Sequence, residues 1–493
     1  MNKKSLFFVG AFREHQILYM IPILDDFYSK NQIKKIIFEK KLSEKTLRIH
    51  YVKNFLNRYE ISYLTEIDKE NLNFFYKPLK AIFFTYFFFL SFLVNKKLLL
   101  NQNNNWFKCQ LYHAIWDTCI VYNQKKLDNF ELKSRIISSL QLAQKNIDII
   151  SLKKKNTSYA FIQHTVYSER YLFALLRKSN IKVFVQTKHV LIEQKKDEDF
   201  GFKYLNRKIF IESFKFIKNK KILDYWSQIL KGKSKYLEAR IAANLKNKTK
   251  MKNLRENVLM LHIFRDSPFT NIDRERIFSD YYTWVVETLK ILKKSKEKWV
   301  IRKHPSAERW GENQKKIVDE IFKKVFGKKV PKNIVFENNL KSNLLQFKHT
   351  KRLITFSGNS HLEAACFGIK PIIISKTTLS DYSKKLYFKP KSILEYKKLL
   401  LEGKDQKFLI NKKEILICKR ILFLIHNVIN FSEDVDSFHI FRSDPQKIFK
   451  DLFAKILDKT KKNYLNIFQI GSLITLKYNQ SINLRYLRLF NRK

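Results

Sequence analysis

The chain is 493 residues long, 45% hydrophobic and 29% charged, with a formal net charge of +52. This apolar content excludes wholesale disorder, and the length fits two or three domains. The charge suggests a nucleic-acid role, but its lysine excess is spread along the whole chain without zinc-finger spacing, an RNA-recognition aromatic motif or a basic heptad zipper, so no specific nucleic-acid partner is expected.

In chain order, residues 4–9 read as a strand, 10–15 as a loop, 16–27 as a helix and 36–38 as a second strand, one β-α-β unit of a parallel sheet. The lead-in from Met1 has neither a full signal-peptide core nor a small-residue cleavage site. Residues 70–150 look mostly helical. The apolar run 81–94 is shorter than the roughly 18–20 residues that span a bilayer, which leaves a buried helix or one lying in the interface. Residues 159–162 form a strand, 168–178 a helix and 181–185 a strand, followed by a lysine-rich helical connector over 205–250.

A second series then begins. Strands are expected at 258–263, 299–302, 333–336, 353–356 and 372–374. Helices are expected at 280–293, from about 314, near 342, at 361–367, and near 410–430 and 445–458. The tail from 464 is a basic amphipathic surface segment or a solvated terminus. The four cysteines, Cys109, Cys119, Cys366 and Cys418, show no C-x-x-C spacing and read as buried thiols of a reducing cytosol.

The expected fold is α/β, with two Rossmann-like domains facing a cleft. The divisions are an α/β domain over 1–200 with a helical insertion, a helical connector over 201–254, a second α/β domain over 255–400, and helices with a basic tail over 401–493. Ligands of such sheets bind at the carboxyl ends of the strands.

Several chemistries are disfavoured. Only nine glycines occur, none spaced as G-x-G-x-x-G, and there is no P-loop, G-x-S-x-G elbow or H-E-x-x-H. Two turns remain: Arg302-Lys303-His304-Pro305-Ser306, and the stretch from Thr355 through Ser357-Gly358-Asn359-Ser360 to Glu363. Each follows an apolar strand and precedes a helix, whose unpaired N–H groups and partial positive charge suit a phosphate. Arg302 and Lys303 alternate in direction, so at most one faces such a ligand. His262 and Asp266, at another strand end, are candidates for lining the same cleft, while Tyr281, Tyr282 and Trp284 read as core packing.

Lys303-His304-Pro305, the block from Ser357 to Ala364, and Gly368-Ile369-Lys370-Pro371 together resemble bacterial GT-B glycosyltransferases of capsule and surface polysaccharide synthesis. That family includes the capsule 3-deoxy-manno-octulosonic acid (Kdo) transferases and, more distantly, bacterial sialyltransferases. The resemblance is best over about 255–380, with fainter likenesses at 114–118 and 164–167. It implies that His304, Ser357 and Ser360 contact the donor phosphate and that Glu363 binds donor hydroxyls. It also implies a nucleotide sugar as co-substrate without a further cofactor, a CMP-activated sugar being one candidate. The acceptor would be lipid-linked or a polysaccharide, and the protein cytoplasmic, in peripheral contact with the anionic inner membrane. Glu14, His15, Asp117 and His164 are the candidates for a base, which an inverting transfer needs and a retaining one does not. No convincing D-x-D motif is present, so no metal is expected. The alternatives are a CDP-glycerol-type polyol-phosphate transferase, a basic nucleic-acid-binding protein and an inactive scaffold of polysaccharide assembly.

Overall fold

The computed structural model describes short segments before residue 157, then 157–162, 169–187, 190–194, parts of 211–233, 256–264, and most of 277–424 with His426. The helix expected at 16–27, the apolar run 81–94, the helix near 445–458 and the basic tail lie outside the described residues.

Two sheets organise the chain. The first contains β1 (Leu6–Gly10), β2 (Lys35–Phe38), β3 (Glu60–Tyr63), β4 (Thr157–Ile162), β5 (Lys182–Thr187) and β6 (Val190–Gln194) in the order β3-β2-β1-β4-β5-β6. Its pairings are parallel except that of β5 with β6, which is antiparallel. Helix α1 (Glu169–Lys178) supplies the crossover between β4 and β5 and buries Leu172, Phe173 and Leu176. Neither β3 nor the β6 edge is expected from sequence; β3 alternates polar and apolar residues over only four positions, too few to stand out, and β6 runs Val-Leu-Ile into Glu-Gln without a period of two.

The second sheet contains β7 (Glu256–Met260), β8 (Trp299–Arg302), β9 (Ile334–Glu337), β10 (Thr350–Thr355) and β11 (Ile372–Ile373). Its order is β11-β10-β7-β8-β9, and every pair is parallel. β7 and β8 are buried along nearly their whole length, as strands covered on both faces must be, which explains their unbroken apolar runs. The chain steps from β7 to β8 and β9 on one side, then crosses to β10 and β11 on the other. This reversal lies between β7 and β10, where a doubly wound sheet opens a crevice. Among the described residues the architecture is therefore α/β with parallel sheets, and no helix is long and apolar enough to cross a membrane.

Local chemistry sets the helix ends around this sheet. Helix α3 (Tyr281–Leu292) starts where the Asp280 carboxylate accepts the Thr283 N–H at 2.7 Å. Helix α4 (Gln314–Phe326) is capped by Asn313 and stops at Gly327, whose φ of 73° suits a residue without Cβ. After α5 (Asn343–Lys348) and β10, the seven-residue α6 (Ser360–Cys366) ends at Gly368, whose φ is +92°. A Cβ there would also lie 3.0 Å from Ile415 Cδ1. Helix α7 (Ile393–Leu401) buries Tyr396, Leu399 and Leu400, and its Tyr396 hydroxyl meets Trp284 Nε1 at 3.1 Å and Thr288 Oγ1 at 2.9 Å.

β10 begins at Thr350, three residues before the expected start, because the buried Arg352 is accommodated. Its guanidinium lies 5.2 Å from the Trp299 ring and 5.4 Å from the Phe408 ring, donates to Asn257 Oδ1 at 2.8 Å and pairs with Glu297.

Helix α2 (Asn219–Leu230) packs on α8 (Lys412–Leu424), with Ile222, Tyr225, Trp226 and Ile229 buried against Cys366, Cys418, Ile421 and Phe423. Cys366 and Cys418 are buried free thiols, as the sequence suggested; Cys109 and Cys119 lie outside the described residues. Arg420 joins the two helices. Its guanidinium donates to the Ser213 carbonyl at 2.9 Å, the Ile217 carbonyl at 3.0 Å and Asn219 Oδ1 at 2.7 Å. Charge-assisted bonds of this kind are worth more than neutral ones. Arg420→Met is expected to lower unfolding stability by about 2–4 kcal/mol, because it leaves the Ser213 and Ile217 carbonyls unmatched. Chemical denaturation measures this, and a change below about 0.5 kcal/mol would mean water replaces the guanidinium.

Candidate functional site at the carboxyl edge of the second sheet

The carboxyl ends of β7 and β8 carry His262 and His304. Met260 pairs in register with Arg302, so each histidine follows its strand by two residues. The Leu261 N–H still donates to the Arg302 carbonyl at 2.9 Å, extending the ladder one step beyond the strands. The two imidazoles then lie side by side, with ring centroids 5.6 Å apart.

Three buried side chains hold these turns. Gln314, first residue of α4, accepts the His304 N–H on Oε1 at 2.7 Å and donates from Nε2 to the His262 carbonyl at 2.7 Å. The same Nε2 contacts Glu312 Oε1 at 2.7 Å, and that carboxylate oxygen accepts the Phe264 N–H at 3.1 Å. The Tyr281 hydroxyl accepts the His262 N–H and donates to the His262 carbonyl at 3.3 Å. Its ring is buried against Phe264 and Phe356, and this burial raises the phenol well above its usual pKa. Tyr281 is thus core, as expected, and also a clamp on His262. Neither Gln314 nor Glu312 is flagged by sequence pattern. Their one signal is position, at and just before the start of the helix after the His304 turn.

Burial, and then the neighbouring His262, pull the His304 pKa from 6.5 down to about 3. His304 is therefore a neutral imidazole near pH 7, with one donor and one acceptor nitrogen in its ring. The two cations beside it are already balanced. Arg302, a candidate for the donor phosphate, is buried and paired with Glu337 at 3.2 Å, while Lys303 pairs with Glu308 at 2.7 Å.

On the other side of β7, Thr355 at the end of β10 pairs in register with Met260. Neighbouring strands lie about 4.8 Å apart, so the β10–α6 turn begins roughly 10 Å from the end of β8, with His262 between them. Ser360, at the start of α6, is half-buried and contacts Thr355 Oγ1 at 3.4 Å; Glu363 is half-buried in the first turn. Ser357 and Asp266 lie outside the described residues, as do Glu14, His15 and His164. Asp117 is fully buried in a helical stretch of the N-terminal half. The second sheet therefore brings together His262, His304 and, one strand away, Ser360 with Glu363. Among the described residues no group of three or more His, Cys, Asp or Glu side chains could hold a metal ion.

The strand order defines the class: an α/β chain whose second sheet is doubly wound, its order reversing between β7 and β10. No protein-family model and no curated protein matches the chain. Solved structures do show likeness. Thermosulfurimonas dismutans KpsC, described as a beta Kdo 2,4 transferase, is 11% identical with a TM-score of 0.32, over 54% of this chain and 80% of that one. The UDP-GlcNAc 2-epimerase of Methanocaldococcus jannaschii, in complex with UDP-GlcNAc and UDP, is 13% identical with a TM-score of 0.25, over 85% and 99%. Anabaena HepE in complex with UDP-glucose is 10% identical with a TM-score of 0.28, over 87% and 98%. TM-scores of this size carry no argument about activity.

The depressed His304 pKa has a consequence for stability. Between pH 6.5 and about 3 the unfolded chain binds a proton at residue 304 that the folded chain does not. Stability is therefore lost as pH falls through that window. His304→Gln, which does not titrate, is expected to flatten this part of the stability–pH curve. A curve with unchanged slope would show that the imidazole is solvated.

Proposed function

We propose that this chain is a glycosyltransferase that moves a sugar from a nucleotide-sugar donor to a growing capsule or surface polysaccharide, its two α/β lobes facing a cleft in the GT-B manner. The observation that carries the reading is the histidine pair at the carboxyl ends of β7 and β8, beside the reversal of strand order. That edge is where a doubly wound sheet meets its ligand.

The proposed chemistry is as follows. The bond between the sugar's anomeric carbon and the donor phosphate oxygen breaks, and the acceptor hydroxyl oxygen bonds to that carbon. The bonding electrons stay on the departing phosphate. The hydroxyl proton passes to a base in an inverting transfer. Neutral His304 donates a ring N–H to the phosphate oxygen as its charge grows, and the growing charge raises the imidazole's own proton affinity. The Ser360 hydroxyl, and Ser357 in the same turn, add donors without bulk, while Glu363 takes donor hydroxyls. Glu14, His15 and Asp117 are the proposed bases, each with a lone pair that can take the hydroxyl proton, Asp117 from a fully buried position. A CMP-activated sugar is one candidate donor. A lipid-linked acceptor suits a chain of net charge +52, which an anionic inner membrane would attract at its cytoplasmic face.

A thermal-shift screen with CMP, CDP, UDP and GDP tests the site, since a ligand that binds only the folded chain raises its melting temperature. At least one nucleotide is expected to do so. Turnover with a CMP-sugar against CDP-glycerol separates sugar transfer from polyol-phosphate transfer. His304→Ala is expected to reduce turnover by about 10²–10³-fold with the fold retained; near-normal turnover would remove the assignment. With imidazole and hydroxyl donors on the leaving group, the proposed transfer is metal-independent. Chelation by EDTA is expected to leave the rate unchanged, and a loss that added Mg²⁺ restores would refute that part.

A further inference from the structure

The side chain of Gln314 does more than fill space. It is 2% exposed and engages both ends of its amide: Oε1 takes the His304 N–H, and Nε2 gives to the His262 carbonyl and to Glu312. One planar amide therefore bonds the turns after two adjacent strands. Burying such a group costs free energy unless each polar atom is met, so a residue serving only as packing would be apolar. Its chemistry also fits its place. An amide supplies a donor and an acceptor at once without carrying charge, whereas a carboxylate there would sit against Glu312 and could not donate to His262.

We propose that Gln314 is a positioning residue for the histidine pair, fixing the relative height of the His262 and His304 turns so that both imidazoles present to one phosphoryl group. This deepens the transferase reading, but its central claim concerns two imidazoles and needs no substrate. The rings are 5.6 Å apart, a separation at which one phosphoryl group can place an oxygen within about 2.8 Å of a nitrogen on each ring. Independent motion of the two turns would lose that sharing. Pre-organisation of this kind lowers the ordering cost of binding. Glu312 and Tyr281 brace the β7 turn from other directions, while the Gln314 amide bonds the backbone of both turns.

The test uses the full chain with ¹³C-labelled histidine. Ring titrations of His262 and His304, assigned through His262→Gln and His304→Gln, are compared in wild type, Gln314→Glu and Gln314→Leu. Gln314→Glu keeps an acceptor for the His304 N–H but loses the donor to the His262 carbonyl, while Gln314→Leu loses both bonds without adding a charge beside Glu312. In wild type, titrating either ring is expected to move the other's resonances. In the variants that cross-response is expected to vanish, and the His304 midpoint to rise by about one pH unit or more as its turn loosens or gains charge. Affinity for the nucleotide that shifts the wild type is expected to fall about tenfold or more, with unchanged circular dichroism. Folded variants with wild-type titrations of both rings would overturn the proposal, even if their melting temperatures were lower. If the wild type binds no nucleotide, the transferase reading fails separately and the titrations still decide the role of Gln314.

Discussion

A parallel sheet covered on both faces must end somewhere, and where it ends its backbone groups lose their ladder partners in a place with little water. Around β7 and β8 this constraint is met by side chains as well as by backbone. The Leu261 N–H completes one last rung to Arg302. Beyond it, the His262 N–H and carbonyl turn to Tyr281 and Gln314, the Phe264 N–H to Glu312, and the His304 N–H to Gln314. The positions of the two imidazoles follow from how the sheet edge satisfies its own polar groups. Structure and site chemistry are here one network, and a change made for either reason is felt by both.

The electrostatics of that edge differ from those of the chain as a whole. A net charge of +52 suggests a site crowded with cations. Instead, Arg302 and Lys303 are matched to Glu337 and Glu308, Arg352 is enclosed by Trp299, Phe408 and Glu297, and His304 is held neutral by burial. What the edge offers is hydrogen-bond donors of low fixed charge. In the proposed transfer, such donors would gain strength as negative charge develops on the departing phosphate.

Sequence reading was most informative where burial is simplest. β8 is recovered residue for residue because Trp299-Val300-Ile301 is a continuous apolar run, and α3 because Asp280 is a plain cap before a periodic stretch. It was least informative where polar residues are buried or apolar ones exposed. The early start of β10 is hidden by Lys351-Arg352, whose second member is interior. Helix α7 is obscured because Ile393 and Leu394 at its start are 52% and 63% exposed while Tyr396 carries the core contact. For the site, histidines at strand ends are visible in the sequence, and the turn after β8 is where it was expected. The charge state of His304 and the role of Gln314 were not visible, since both depend on what lies above the sheet edge in space.

The contact between α2 and α8 joins stretches about two hundred residues apart, with the whole second sheet threaded between them. The ring of Trp226, the Tyr225–His426 bond and the Arg420 clasp all belong to that seam. Anyone wishing to express this lobe by itself would therefore have to cut ahead of Ile211 and beyond His426. A fragment trimmed to the strands alone would lay bare an oily seam and invite aggregation.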